Sequence, residues 1–424
     1  MSEGKLNVRA TMYLSFGFMA VSLAWSLYNS MVPQILDAFG LSASMVGVVM
    51  VFDNIAGVIL TPLFGSISDR TRTRFGRRMP YLMVGVPVAA VLFFFIPRVA
   101  SLWTLIGLLA MFCIVMAIWR TPVISLMPDL VPGPHRSQAN GIVNMLGGIG
   151  SLIAFGVGGI LLDLGGFPLP FLTAAIVMVL ALGVLLWKVR EPVQAFEPEA
   201  EKPKVKLTPA EWVSLLLILF AIFFWFIGYN AVETFFTLFA TKTLLVSKGT
   251  ATILLGVFSI AFLAFAMPAG FIGAKIGRRK TILIGLAGVT IVFIPMLVTT
   301  NLIATIVCLF IGGLFWACVN INSLPMVVRI GGDRLIGTFI GFYYFFSVSA
   351  QIVSPPSVGR LIDYTGKHGF WFIPASENYR ILFLWSCVAF AIAFVVLSFV
   401  RHGEDDVPEP DQTSATEIMA DLGD

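Results

Sequence analysis

Gly76-Arg77-Arg78 ends the loop behind one apolar stretch, and Gly277-Arg278-Arg279 ends the loop behind another, 201 residues later. Other landmarks keep the same period. Tyr28-Asn29 returns as Tyr229-Asn230, also 201 residues on, and the stretch from Gly141 to Asp163 returns as Gly341 to Asp363 at an offset of 200. A chain that carries one pattern twice is built from two related halves. Within a membrane, such halves can rock against each other around a site near the bilayer midplane. The repeat therefore predicts the layout of a carrier.

Composition explains why a membrane is required. The chain has 424 residues, of which 58% are hydrophobic and 12% charged. Soluble domains carry about a quarter charged residues, and no soluble fold of this size hides so much apolar surface. Cys113, Cys308, Cys318 and Cys387 all lie in apolar segments without metal-ligand spacing and read as packing residues. His135 and His402 fall at loops or ends, and His368 falls in a loop. No metal or nucleophile constellation assembles from these residues, so neither a cofactor nor an enzymatic activity is expected. The formal charge of +4 requires no nucleic-acid partner.

A membrane helix needs about 20 mostly apolar residues. Twelve stretches qualify: 11–36, 43–66, 79–97, 101–128, 138–162, 167–188, 209–240, 250–273, 280–299, 301–327, 336–361 and 379–400. The expected fold is an all-α membrane protein of twelve transmembrane helices in two six-helix halves. Residues 1–190 form the first half and 209–402 the second. A Glu-, Lys- and Pro-rich linker, 191–208, joins them, and an acidic tail, 403–424, reads as disordered. The short polar start, Met1 to Ala10, leads into an apolar run without a small-residue cleavage site, so the first span reads as retained rather than as a signal peptide.

The loop charges set orientation. One side carries 20 Lys and Arg residues, including Lys5, Arg9, the run from Arg70 to Arg78, Arg136, the linker lysines, Arg278, Arg279 and Arg334. The other side carries 6: Arg98, Lys242, Lys248, Arg360, Lys367 and Arg380. The rule that positive loops stay inside places both termini in the cytoplasm. The compact loops point to a bacterial inner membrane.

The loop between the second and third spans reads Gly65-Ser-Ile-Ser-Asp69-Arg70, then Arg74-Phe-Gly76-Arg77-Arg78-Met-Pro80-Tyr. It resembles the signature loop of the major facilitator superfamily. More narrowly it is similar to the version in sucrose–proton symporters, which stand beside the glycoside–pentoside–hexuronide symporters. Arg120-Thr-Pro122, Asp129-Leu130, Arg136 and Ala139-Asn140 agree with that pattern. The resemblance implies the major facilitator fold, a monomer, and a cavity lined by spans one, four, seven and ten.

The chemistry of the loop stands without the family. Asp69 faces a set of guanidinium groups, and arginine offers planar, paired donors to a carboxylate. Asp69, Arg70, Arg74, Gly76, Arg77 and Arg78 are thus candidates for a conformational latch between helix ends. The plainer alternative is that these arginines only enforce topology. The second repeat keeps Gly270 and Gly277-Arg278-Arg279 but has Ala274 and Lys275 where the acid would stand, so the first latch should be the stronger.

Ionisable residues inside spans are costly and mark pathways or proton relays. Asp53, Arg120, Asp129 and Glu233 are the candidates for proton coupling. Asp53 lies mid-span, about 20 Å of helical rise from the arginine-rich edge. A carboxylate removed from water can exchange a proton near neutral pH, although a structural hydrogen bond would also explain it. Arg120 lies about 10 Å from Asp53 along the membrane normal by the same rise. In the sucrose-carrier pattern an arginine precedes the equivalent of Asp129 by five residues. Here that position is Ile124 and Arg120 comes one turn earlier, which puts the pairing in doubt; a helix-end contact is the alternative for Asp129. Glu233 has Val32 as its counterpart in the first half and breaks the repeat. It reads as a substrate or proton group, or else as part of a solvated helix end.

Aromatic–amide sets complete the picture. Trp25, Tyr28 and Asn29 lie in span one, Asn54 in span two, Trp225, Tyr229 and Asn230 in span seven, and Trp316, Asn320 and Asn322 in span ten. Sugars present C–H faces to rings and hydroxyls to amides, so Trp25, Tyr28, Asn29, Asn54, Tyr229, Asn230, Trp316 and Asn320 are the substrate-binding candidates. Six glycines between Gly147 and Gly159 read as close helix packing, and Pro355-Pro356 as a bend in span eleven. The expected function is proton-coupled sugar symport by alternating access. The alternatives are a sodium-coupled glycoside symporter, an exporter of a small metabolite or drug, and a non-transporting membrane sensor. The expected partners are a sugar, a proton and the lipid bilayer.

Overall fold

The computed structural model describes residues 7–131, 135–191, 208–330 and 336–401. The interior of the expected linker and the acidic tail lie outside these residues, as do Lys5, Arg334 and His402. Nearly all that is described is helix: α1 (Val8–Ala38), α2 (Ala43–Met50), α3 (Phe52–Arg70), α4 (Met79–Phe95), α5 (Leu102–Leu130), α6 (Arg136–Gly165), α7 (Pro168–Lys188), α8 (Pro209–Lys242), α9 (Lys248–Ile276), α10 (Arg278–Phe293), α11 (Leu302–Ile330), α12 (Ile336–His368) and α13 (Ile381–Ser398).

Eleven helical spans among the described residues are long and apolar enough to cross a membrane, with α2 and α3 counted as one. The twelfth is α12. Its 33 residues exceed a bilayer's thickness, but Ser347, Ser349, Gln351, Ser354, Ser357, Arg360 and Asp363 dilute its hydropathy. Those polar groups are tolerable because α12 packs on α2 and α8 rather than facing lipid all round.

Local sequence explains where helices begin. Thr208 and Glu211 form a reciprocal capping box ahead of α8, with Pro209 at the first helical position. Ser42 caps α2 through the Met45 N–H, and Ser247 caps α9 through the Thr250 N–H. The second span, expected at 43–66, is found at Ala43–Arg70 with one local break: Val51 leaves the helical ladder at ψ −2°, and α3 restarts one residue ahead of Asp53.

Packing follows the glycines. α6 lies between α1 and α9, and Gly150 and Gly158 admit Met19 and Leu27 of α1. α3 and α4 pack on α5, α9 and α10 on α11, and α8 on α12 and α13. α12 continues as a helix through Pro355 and Pro356.

Two contacts at the end of the bundle opposite the arginines are related by the repeat. Gly159 of α6 meets the backbone of Gly249 at the start of α9, and Gly359 of α12 meets the backbone of Ala43 at the start of α2; a Cβ at either glycine would collide. One turn further on, Asp163 accepts from the Gly249 N–H at 2.9 Å and the Ser247 hydroxyl at 2.7 Å. Asp363 accepts from the Ala43 and Ser44 N–H groups at 2.9 and 3.0 Å. In each case glycine lets the backbones touch, and the aspartate then satisfies the free N–H groups of a helix start. Lys242 pairs with Asp37, and Gln34 donates to Thr252 at 3.4 Å, on the same side of the molecule.

Candidate functional site

The restart of α3 at Phe52 turns Asp53 toward the middle of the bundle. There it lies within electrostatic reach of Arg120 on α5 and Glu233 on α8. Arg120 also faces the Trp25 ring at 6.0 Å and feels Tyr344 of α12. It sits deep within its span and is nevertheless exposed. No ion pair within 4.0 Å joins Asp53 to Arg120 among the described residues. Asn54 donates instead to its neighbour Asp53 at 2.9 Å. Asn29 of α1 donates to Glu233 at 3.2 Å and ties α1 to α8.

The rings are arranged on two sides. Tyr229 stacks on Trp316 with centroids 4.5 Å apart and planes 5° from parallel. This pair and Glu233, Asn29, Ser259, Phe155 and Phe258 border about 580 Å³ of space, its open mouth included. On the α1 side, Trp25 meets Tyr28 edge-on at 5.3 Å and Phe112 at 6.0 Å.

Several expected substrate residues are placed differently. Tyr28 is fully buried, stacked on Phe112 at 5.7 Å, with its oxygen accepting from the Cys113 thiol at 3.5 Å. Asn230 donates to Phe226 of its own helix at 2.7 Å and is buried. Both are packing groups here. Asn322 ties α11 to α9 through the Ala269 carbonyl at 3.0 Å. Asn320 is half-buried one turn beyond Trp316. Asn29, Tyr229 and Trp316 border the central space; Trp25 lies beside Arg120, and Asn54 beside Asp53.

Asp129 is elsewhere. It accepts from Arg77 at 2.5 Å and Arg78 at 3.0 Å, at the arginine-rich end, about 13 Å of helical rise from Arg120. Arg78 is buried at 4% exposure and binds Asp69 and Ser68 as well. Glu191, past the end of α7, has a fully buried side chain that accepts the backbone N–H of Arg78 at 2.8 Å and that of Met79 at 3.3 Å. Gly76 is obligatory beside it: its φ is +105°, and a Cβ would run into the Glu191 carboxylate. Of the six expected latch residues, Asp69, Gly76, Arg77 and Arg78 come together. Arg70 and Arg74 stay exposed and join no ion pair among the described residues; Arg74 lies over Phe75 at 4.6 Å.

Glu191 went unrecognised because it directly follows Arg190 and opens a charged stretch, where an acid reads as solvated. In the second repeat Arg279 binds the carbonyls of Leu397, at 3.2 Å, and Ser398 at the end of α13, so the arginine is kept and its acid partner is replaced by backbone. Arg78→Gln is expected to lower the stability of the purified protein by on the order of 3 kcal/mol, the scale for breaking a buried ion pair. Arg74→Gln should stay within about 0.5 kcal/mol of the parent. Thermal unfolding in detergent distinguishes them, and equal behaviour of the two variants would remove Arg78 from the centre of the cluster.

A family model described as Major Facilitator Superfamily matches residues 14–244 and 218–421. The chain belongs to the Major Facilitator Superfamily. It is thus a multi-pass integral membrane protein of a transporter family, not of an enzyme family. Among curated relatives, it is similar to an isoprimeverose transporter of Lactiplantibacillus pentosus, 24% identical over 63% of this chain and 59% of that one. It is also similar to the sucrose transport protein SUC4 of Arabidopsis thaliana, 21% identical over 37% of this chain and 34% of that one. The chain therefore spans less than two thirds of the length of these relatives. The resemblance to sucrose and glycoside symporters holds in these matches. A solved structure of a bacterial homologue of the human lysosomal transporter Spinster, in an inward-facing and occupied conformation, shares the fold. Its TM-score is 0.76 at 16% identity, over 94% of this chain and 97% of that one.

Proposed function

We propose that this major facilitator protein carries a sugar or glycoside together with a proton by alternating access. The carrying observation is the meeting of two acids and one arginine, Asp53, Glu233 and Arg120, at one central site where α1, α3, α5 and α8 converge. Charged side chains this deep are costly unless they face water or one another. With both acids ionised the trio holds one surplus negative charge, and a single proton neutralises it. A neutral substrate with many hydroxyls then suits the rest of the lining: Asn29 and Ser259 as hydrogen-bonding groups, and Tyr229 and Trp316 as ring faces. The curated relatives named for isoprimeverose and sucrose support the sugar reading.

The architecture proposed for this cycle is two six-helix lobes, α1–α7 and α8–α13, joined by the 191–208 linker. The double match of the family model and the packing within each set support it. The protein acts as a monomer in a bacterial inner membrane with both termini cytoplasmic. On this reading the conformation is inward-facing, since Asp163, Asp363 and the Lys242–Asp37 pair join the proposed lobes at the external end and Arg120, deep in its span, is exposed.

The test is uptake of a panel of labelled mono- and disaccharides into proteoliposomes. An inward proton gradient is expected to drive accumulation that a protonophore abolishes. Accumulation driven by a sodium gradient and insensitive to the protonophore would establish the sodium-coupled alternative. Failure to move any sugar in either direction would overturn the reading.

A further inference from the structure

On the outer, membrane-facing surface of the arginine-rich half, α3, α4 and α5 leave a groove of about 730 Å³, its open side included. Its walls are Phe64, Tyr81, Val84, Val88, Val115 and Ile118. The side chains at its outer edge face the surroundings: Val84 is 66% exposed and Val88 42%. From Pro80 to Val88 the groove follows α4 for about 12 Å of rise, close to the depth of one leaflet's hydrocarbon. It is a slot sized for a single acyl chain.

Only one end of the slot is polar. The hydroxyls of Thr71 and Tyr81 meet there at 2.6 Å. Arg72 folds over the same spot, donating from Nη1 to the backbone oxygens of Asp69 at 2.7 Å and Thr71 at 3.0 Å, which leaves its other N–H groups facing out. Arg70, Arg72 and Arg74 are all exposed. The nearby acids are already engaged: Asp69 and Asp129 bind Arg78, and Glu191 binds the α4 backbone. The loop therefore carries uncompensated positive charge at headgroup depth, beside a chain-sized apolar slot.

We propose that this groove binds an anionic phospholipid, with one acyl chain along α4 and its phosphate on Arg70 and Arg72. Arginine matches phosphate with paired donors. Net negative headgroups are favoured over zwitterionic ones because the three arginines have no carboxylate partner among the described residues. The site lies outside the central cavity, so its occupancy is independent of which solute the protein carries.

Delipidated protein in detergent, titrated with palmitoyl-oleoyl phosphatidylglycerol or phosphatidylcholine and followed by native mass spectrometry, tests this. The wild type is expected to retain the glycerol lipid with about tenfold preference. Arg70→Gln/Arg72→Gln should retain one such molecule fewer and lose the preference. Val88→Trp, which fills the slot, should weaken retention of both lipids, and Val84→Phe reads the same effect if the first variant does not fold. Lys275→Gln, a cation of the same leaflet away from the groove, should leave the preference unchanged. Inorganic phosphate and dihexanoyl phosphatidylglycerol, which lack the long chain, should not displace the bound lipid. Equal retention of the two lipids by the wild type, an undiminished preference in the double arginine variant, or displacement by inorganic phosphate would each overturn the proposal.

Discussion

Glu233→Gln is expected to abolish uphill accumulation of substrate while leaving exchange across the membrane in place. Glutamine keeps the shape and the contact to Asn29 but is permanently uncharged, as the carboxyl is when it carries a proton. Glu233 has an amide partner at 3.2 Å, whereas Asp53 has Asn54 at 2.9 Å and the nearby Arg120 charge. The acid without a cation is the one whose charge must be removed before the lobes close around it, since an unpaired buried charge is far costlier than a paired one. On the proposed function this assigns the proton to Glu233 and leaves Asp53 as the carboxylate that balances the Arg120 charge. A driving force of about 120 mV is worth about 2.8 kcal/mol per proton, enough for about 100-fold accumulation. In proteoliposomes the variant should fall to a ratio of about 1, with preloaded exchange retained. Asp53→Asn should behave differently and lose exchange as well, because Arg120 is then left without a counter-charge whenever Glu233 carries its proton. If Glu233→Gln still accumulates substrate against its gradient in response to pH, the coupling role moves to another group.

Span positions were legible because hydrophobic length and loop charge are properties of the sequence itself. The fourth span, expected at 101–128, is α5 at Leu102–Leu130, and the seventh, expected at 209–240, is α8 at Pro209–Lys242. The interruption at Val51 left no trace, since neither glycine nor proline marks it; α2 ends there without any residue that forbids a helix. The site was legible only in part. That acids and an arginine inside spans must meet follows from the cost of leaving them alone, so Asp53, Arg120 and Glu233 could be picked out together. Which neighbour points inward could not be read. Tyr28-Asn29 and Tyr229-Asn230 are identical pairs, yet Asn29 reaches the cavity in one and Tyr229 in the other, because helix rotation is set by tertiary packing. For Asp129 two readings stood open, a relay group or a helix-end contact, and sequence could not choose because Arg77 and Arg78 arrive from a loop whose fold rests on the buried Glu191.

Asp163 and Asp363 show the reverse case, a signal present in the repeat whose meaning needed coordinates. Each stands four residues after a glycine, Gly159 or Gly359, and each reaches across to a helix start of the other proposed lobe. Asp163→Ala/Asp363→Ala is expected to shift the protein strongly out of this conformation. Replacing a helix-capping acceptor by alanine costs about 1 kcal/mol, and the loss of a carboxylate at a helix N-terminus adds up to about 1 kcal/mol more. The two contacts share no residue and should act additively. The pair is then worth about 2–4 kcal/mol, roughly a 30- to 900-fold change in population. Spin labels at Ala100 and Thr300, both exposed on loops at this end, report the separation of the lobes there. The double variant should lengthen that distance, and each single variant should give about half the effect on a free-energy scale. Because the carboxylates touch neither the cavity nor the charge trio, sugar exchange should persist with altered kinetics rather than vanish. An unchanged distance distribution in the double variant would mean that the glycine-lined backbone contacts, the Lys242–Asp37 pair and the Gln34–Thr252 hydrogen bond hold this end shut without the aspartates, which would then merely satisfy N–H groups that water would serve equally well.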